Sequence, residues 1–415
     1  MKRNWQVCAS LLMLQWIKQV NTQRGTCIIM IIGIVGLGTV GFGTLDILTK
    51  EKERLEKEIG EEVVVKYGCA LENPGLPEGV IYTTDFHDVL DDESVDVVVE
   101  LIGGLTFAKT IIMGAIEKGK HVVTANKALL AHDGQEIFTA AKEKGVNVFY
   151  EASVGGGIPV VVPAKESLIA NNIKKIEGIL NGTTNFILTL METDNLDFKE
   201  ALAIAQDLGF VEADASLDLD GFDAAHKIAI LAMNAFHIFF DFDKIHTTGI
   251  RQVTKQDMDY AKKLGYRIKL IAQAEKLDNS IGIDVSPTLV PMSDIVGNVM
   301  QAYNVVEITS DYVENVLFYG KGAGRYVTAS AVVSDIMKTH NKELWTHDYT
   351  YTDAITPIED SRFYVRSSQP LDIDYEESYS MDDQYIYITT KQNLNALKLQ
   401  LSGVKYTLLK VRDEK

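Results

Sequence analysis

Met30-Ile31-Ile32-Gly33-Ile34-Val35 leads without interruption into Gly36-Leu37-Gly38-Thr39-Val40-Gly41, and residues Phe42 to Lys50 carry on from there. The first six residues are apolar and rich in β-branched side chains, the composition of a buried strand. G-x-G-x-x-G is a weak motif alone, but between a strand and a helix it reads as a dinucleotide fingerprint. The first glycine allows the tight turn, the second lets backbone approach a pyrophosphate, and the third lets helix pack on strand. The unpaired N–H groups of the helix start then face the phosphates. Gly36, Leu37, Gly38, Thr39, Val40 and Gly41 are therefore expected to bind the cofactor.

Strand and helix patterns go on alternating from this point. Glu62 to Lys66 reads as a strand, Asp85 to Asp91 as a helix, and Val95 to Leu101 as a buried strand ending in Ile102-Gly103-Gly104. Thr106 to Lys118 reads as a helix leading to His121-Val122-Val123, and Ile137 to Lys144 as one leading to Val146–Tyr150. Such alternation predicts a doubly wound parallel sheet of Rossmann type over residues 30–150, with ligands at the strands' carboxyl ends. After the second strand stand Gly68-Cys69-Ala70-Leu71-Glu72, where Glu72 could meet a ribose hydroxyl and no arginine offers itself for a 2′-phosphate. NAD and NADP both stay open.

The chain has 415 residues, long enough for two or three domains with substantial cores. Its net charge of −18 argues against a nucleic-acid groove or an anionic membrane surface. No apolar run reaches the length of a bilayer span. The three cysteines, Cys8, Cys27 and Cys69, lack paired spacing, which excludes a disulfide framework and fits a reducing, cytoplasmic setting. Residues 1–29 form an extension in which Lys2 and Arg3 ahead of Val7 to Ile17 faintly imitate a signal peptide. Trp16, Lys18 and Gln19 interrupt that run, so a translation start called too early is preferred.

Further along, Glu212, Asp214, Asp218, Asp220 and Asp223 crowd into a segment that ends at Lys227 and runs into the apolar stretch Ile228–Met233. A helix starting near Gly221 or Phe222 puts Asp223 and Lys227 on one face, four residues apart. Glu212 and Asp218 precede them on a loop able to fold back onto that face. A lysine among carboxylates is a proton donor or an ammonium that fixes a substrate; the plainer alternative is an i,i+4 surface ion pair.

Six motifs taken in order resemble the homoserine dehydrogenase family across about residues 30–340. They are Val35 to Gly41 (VGLGTVG), Val122 to Lys127 (VVTANK), Glu151 to Pro159 (EASVGGGIP), Asn181 to Asn185 (NGTTN), Asp218 to Lys227 (DLDGFDAAHK) and Gly320 to Ser330 (GKGAGRYVTAS). The resemblance implies NAD(P)-dependent interconversion of L-homoserine and L-aspartate 4-semialdehyde, within threonine, methionine and isoleucine biosynthesis. It also implies a homodimer. It assigns Glu212 and Asp223 to substrate, with Asp223 also ordering Lys227. Lys227 would pass a proton to the developing alkoxide, which requires its pKa to be lowered towards working pH. Lys127 is the expected second ammonium, serving catalysis, substrate and nicotinamide; without its Thr-Ala-Asn-Lys setting it would read as a solvated loop lysine. Gly209 and Gly324 are expected to line the cofactor. A sodium ion is implied on the backbone carbonyls of Glu151, Val154, Gly156 and Ile158, in a segment that otherwise reads as a sharp turn between domains. Asn181 to Asn185 is implied to lie beside the reacting centre, though a helix cap explains Thr184 or Asn185 without any chemistry.

The resemblance sets an α+β substrate-binding and dimerisation domain at residues 151–325, with a helix at 326–340 returning to the first domain. Val327 replaces a usual proline, which should slightly loosen the helix start. The tail 361–415 resembles a degenerate, truncated ACT domain, because the acidic Gln369 to Asp383 lacks the module's Pro-Gly helix entry. A stabilising or dimerising appendage is expected, and deletion of 361–415 should leave catalysis measurable. Two alternatives to the dehydrogenase differ in class. Aldehyde oxidation through a thioester needs a cysteine in the substrate half, and none follows Cys69. A non-catalytic dinucleotide- or amino-acid-sensing regulator would share the fold, but the set Lys127, Glu212, Asp223 and Lys227 argues against such decay.

Overall fold

A computed structural model describes residues 29–211, 214–277, 280–341, 344, 348–356, 358 and 360–413. Glu212 and the extension up to residue 28 lie outside the described residues. The chain divides into two compact units, one of residues 1–129, 133–152 and 324–346, the other of residues 130–132, 153–323 and 347–415. Among the described residues no helix is long and apolar enough to cross a membrane.

In the first unit the apolar run folds as β1 (Ile29–Val35), and the glycine turn opens α1 (Thr39–Lys50). The sheet continues with β2 (Glu62–Cys69), β3 (Ile81–Thr83), β4 (Val97–Glu100), β5 (His121–Thr124) and β6 (Val148–Phe149). Its order is β3-β2-β1-β4-β5-β6, with every pair parallel. The order reverses between β1 and β4, which is where an open α/β sheet leaves a crevice for a ligand. The helix α2 (Thr106–Glu117) buries Ala108, Ile111, Ile112, Ala115 and Ile116, an apolar face at helical spacing. The next helix, α3 (Lys127–Lys144), is longer than the expected 137–144. It begins directly after β5 because the Asn126 side chain accepts the Leu129 N–H at 3.1 Å, so Lys127 stands in a first helical turn.

The second unit is built on a mixed sheet with helices packed against it. β7 (Ile173–Ile179) lies between β8 (Tyr266–Lys276) and β10 (Tyr303–Ser310), antiparallel to both. β8 pairs in turn with β9 (Ile281–Pro291), and β10 with the edge strand β11 (Asn315–Lys321). The sequence reading assigned no element to β10 and β11, because Asn304 and Glu307 interrupt one and the other is half-exposed. The helices α4 (Gly182–Thr193), α5 (Phe198–Asp207) and α6 (Phe222–Phe236) follow β7, and α6 packs across β7, β8 and β9. Past these, α7 (Arg325–Lys338) belongs to the first unit, where Val332 and Ile336 join the β1 core and Tyr326 donates its hydroxyl to Asp46 of α1 at 2.9 Å.

The tail forms β12 (Asp360–Ser367), β13 (Tyr375–Met381), β14 (Gln384–Thr389), α8 (Leu394–Gln400) and β15 (Tyr406–Val411). β13 was not foreseen. Asp382 and Asp383 both take positive φ, 48° and 59°, between the paired Met381 and Gln384. A two-residue turn of that kind joins hairpin strands, so the acidic segment folds as a strand with no helix entry needed. The tail is also no loose appendage. β15 runs parallel to β9, with Thr288 opposite Lys410 and Leu289 opposite Val411, giving the path β11-β10-β7-β8-β9-β15-β12-β14-β13. Just beyond β15 the Arg412 side chain, 5% exposed, pairs with Glu177 at 3.1 Å and also with Glu307. Those two glutamates face each other in register on β7 and β10, where their like charges would otherwise repel.

Candidate active site

In the first unit the glycine motif has little freedom to change. Gly36 sits at φ 103°, and a Cβ there would come within 2.5 Å of the Leu101 backbone. A Cβ on Gly41 would lie 1.8 Å from the Gly36 carbonyl oxygen, so helix and strand close on each other only with glycine between them. Gly38 differs, since a Cβ there would meet nothing within 4 Å. Among the described residues no neighbour accounts for that glycine. As residue before α1 it has no side chain capping the first N–H groups, and an open, uncapped helix start is what a pyrophosphate requires. Gly38 and Thr39 are exposed, Val40 is half-buried, and the Leu37 side chain turns into the core, which leaves only its backbone to a cofactor. We expect Gly38→Ala to keep its thermal stability and to weaken dinucleotide binding by about tenfold or more. Titration by fluorescence checks this, and unchanged affinity would remove Gly38 from the site.

Glu100, at the end of β4 and fully buried, organises the facing loop. It accepts the Ile102 and Gly103 N–H groups at 2.8 and 3.2 Å, and the Thr124 hydroxyl at 2.7 Å. Asn126 adds a bond to the Gly104 carbonyl at 2.7 Å. Thus Thr124 and Asn126 tie the carboxyl end of β5 to that of β4, and Lys127 follows at the start of α3. Glu100 escaped the sequence reading because a lone acid after valines gives no local signal. Gly324, at φ 135°, immediately precedes α7 in this unit. Gly209 lies in the second unit, and its φ of 75° has a local reason: it closes the end of α5, donating to the Gln206 carbonyl at 2.9 Å.

In the second unit Asp218 comes beside Asp223, while Glu212 lies outside the described residues. Residues Ser216–Leu219 make one short helical turn, Gly221 takes φ 89°, and α6 starts at Phe222. Asp223 and Lys227 form an ion pair of 2.7 Å with side chains only 9% and 11% exposed, too enclosed for a surface pair. The Lys227 ammonium also donates to the Leu180 carbonyl at 2.8 Å. Among the described residues two of its three hydrogens are held in this way, which fixes the direction of the third. Beside it, the Asn181 amide nitrogen donates to Asp218 at 2.6 Å and to Asp223 at 2.7 Å. Its oxygen accepts the Thr184 N–H at 2.8 Å and so caps α4. The end of β7, the start of α4, the short turn and the first turn of α6 therefore meet at one cluster.

The other asparagine of NGTTN points elsewhere. Asn185 donates to the Val299, Gln301 and Tyr303 carbonyls, and its oxygen accepts from Lys269, which also donates to Val299 O at 2.6 Å. Burial lowers the Lys269 pKa from 10.5 to about 8. Between those values the unfolded chain binds more protons than the folded one, so this group makes stability rise with pH across that window. The difference in unfolding free energy between the wild type and Lys269→Met should follow the same rise, and a flat difference would refute the assignment.

The segment expected to bind sodium begins with a 3-10 turn, Glu151–Ser153, and bends at Gly155 and Gly156, at φ 71° and 59°. The Gly155 carbonyl is occupied by the Ile158 N–H at 2.9 Å. Glu151 belongs to the first unit, and Val154, Gly156 and Ile158 to the second. Among the described residues no group of three or more His, Cys, Asp or Glu side chains is placed to hold a metal ion.

Residues 159–337 match the family model for homoserine dehydrogenase, and residues 36–151 match the model for the NAD-binding domain of homoserine dehydrogenase. A homoserine dehydrogenase of Pseudomonas aeruginosa is 46% identical over 308 residues, covering 74% of this chain and 71% of that protein. One from Bacillus subtilis is 42% identical over 311 residues, covering 74% and 72%. The crystal structure of a homoserine dehydrogenase from Thiobacillus denitrificans superposes with a TM-score of 0.88 at 37% identity, over 93% of this chain and 98% of that one. A hyperthermophilic archaeal homoserine dehydrogenase mutant in complex with NADPH gives a TM-score of 0.61 at 25% identity, over 76% of this chain and 99% of that one.

Proposed function

The chain belongs to the homoserine dehydrogenase family and is an NAD(P)-dependent oxidoreductase acting on a CH–OH group, and from this premise we propose how its residues divide the work. The pinned ammonium of Lys227 carries the proposal. When bound, the dinucleotide supplies or accepts hydride at its nicotinamide ring. Addition of hydride to the aldehyde carbon of aspartate 4-semialdehyde leaves negative charge on its oxygen. The third hydrogen of the Lys227 ammonium is directed to that oxygen and neutralises it, giving homoserine. In oxidation the neutral amine takes the hydroxyl proton back as hydride leaves the carbon. Asp223 orients the lysine, and the Leu180 carbonyl fixes its remaining freedom.

Substrate binding follows from the charges it carries. The substrate's ammonium calls for carboxylates, the role given to Asp223 and to Glu212. Its carboxylate calls for a cation, the role given to Lys127. Gly36 to Gly41 and the first turn of α1 would hold the dinucleotide, with Lys127, Gly209 and Gly324 as further contacts. Sodium on the carbonyls of Glu151, Val154, Gly156 and Ile158 is carried in the reading because left-handed glycines bend that segment sharply and a hard ion takes oxygen donors of this kind. A homodimer is also carried in it, with the outer side of β11 unpaired in the described sheet. The sensing alternative has no support in the site.

Homoserine-dependent reduction of NAD⁺ and NADP⁺, followed by absorbance with Lys227→Ala as control, tests the reading. Activity lost in the variant sustains it and ranks the two cofactors. Folded wild-type protein that is inactive with either cofactor, with sodium present, overturns it.

A further inference from the structure

We propose that Asn181 is a positioning residue of this reaction, whose amide, locked by its helix cap, holds Asp218 and Asp223 together and so aims the carboxylate that orients Lys227. The inference rests on the reading of Lys227 as the proton carrier.

An asparagine amide can face either way round, and here its neighbours decide. The Thr184 N–H can only donate, so the oxygen of Asn181 must face it. The nitrogen then faces Asp218 and Asp223, each at hydrogen-bond distance and each accepting one hydrogen. Asn181 is 4% exposed and Asp223 7%, so water does little to screen the two carboxylates there. They come from different elements, Asp218 from the short turn 216–219 and Asp223 from the first turn of α6. Lys227 pairs with Asp223 through the same Oδ2 that accepts from Asn181. That oxygen is thus fixed by two donors on different elements, one from the end of β7 and one from α6 itself.

Without the amide, two neighbouring carboxylates would repel and the short turn would move away from α6. Asp223 would keep Lys227 as a partner but would lose the donor that sets its rotamer. The ammonium would then point at the reacting oxygen less accurately, and a misplacement of about 1 Å costs about 10²-fold in rate. Capping α4 is a separate task, and serine or aspartate does it as well as asparagine.

That separation provides the test. In Asn181→Ser the cap stays and the amide goes; kcat for homoserine oxidation should fall about 10²-fold, with KM for the dinucleotide and the unfolding temperature unchanged. Asn181→Asp also keeps the cap but adds a third carboxylate, and should lose at least as much. Adding Asp218→Asn to Asn181→Asp restores an amide to the cluster and should recover about tenfold or more of that loss. Wild-type kcat in Asn181→Ser overturns the proposal. So does activity that falls only in step with unfolding in both single variants, because the cap alone would then account for Asn181. If the double variant recovers nothing, the sharing of the amide between the carboxylates is refuted. Unmodified protein that fails to oxidise homoserine overturns the reading of the reaction, and the proposal falls with it. Active wild-type protein with indifferent Asn181 variants removes the proposal alone.

Discussion

Lys227→Ala is expected to lower turnover by about 10²–10⁴-fold, the range for a positioned acid or base, while dinucleotide affinity holds. The variant removes the proton carrier and also leaves the Leu180 carbonyl without its donor, so a moderate loss of stability should accompany the kinetic effect. Lys227→Arg separates charge from proton transfer. A guanidinium can restore the ion pair with Asp223, but it does not release a proton at working pH. Its stability should approach wild type while turnover stays low. Wild-type turnover in either variant would take Lys227 out of the mechanism.

Arg412→Ala should cost about 3–5 kcal/mol of stability, the range for removing one partner from a buried ion pair. Glu177 and Glu307, each 3% exposed, would be left facing one another on adjacent strands. Urea denaturation gives the number, and the double substitution Glu177→Gln with Glu307→Gln in the Arg412→Ala background should return part of it. A midpoint unmoved by Arg412→Ala would show that the glutamates find another partner. The same geometry changes what removal of the tail entails. Deleting 361–415 would unpair the β9 edge from β15 as well as taking Arg412 away, so the first effect expected is loss of stability in the second unit, ahead of any effect on chemistry.

The parts legible in the sequence were those in which local chemistry and tertiary need coincide. Met30 to Gly41 could be read because a buried parallel strand is apolar throughout and glycine is the only residue that fits at Gly36 and Gly41. The pairing of Asp223 with Lys227 could be read because helical spacing brings them together once the start of α6 is found. What depends on chain segments meeting was not legible. The sequence reads Thr184 or Asn185 as the cap of α4, whereas Asn181 holds that place, and nothing near it in sequence shows that Asp218 and Asp223 will share its amide. Glu100 and Arg412 are single charged residues whose partners come from other strands. The turn at Asp382 and Asp383 failed for a different reason: left-handed aspartates imitate the more familiar Asn-Gly, and in an acidic stretch they are easily taken for solvated loop.

The place of α7 and β15 in their sheets has a consequence for synthesis. Residues 325–338 complete the core of a unit whose first strand was made about three hundred residues earlier. Residues 406–411 pair with strands that have already left the ribosome. Neither unit can close until its late segment emerges, so the growing chain must carry incomplete cores and a β9 edge paired only in part, by His246 and Thr247 among others, for much of translation. Such surfaces invite association with other chains. Chaperone occupancy during translation should therefore persist until these segments appear, and should last longest for the second unit.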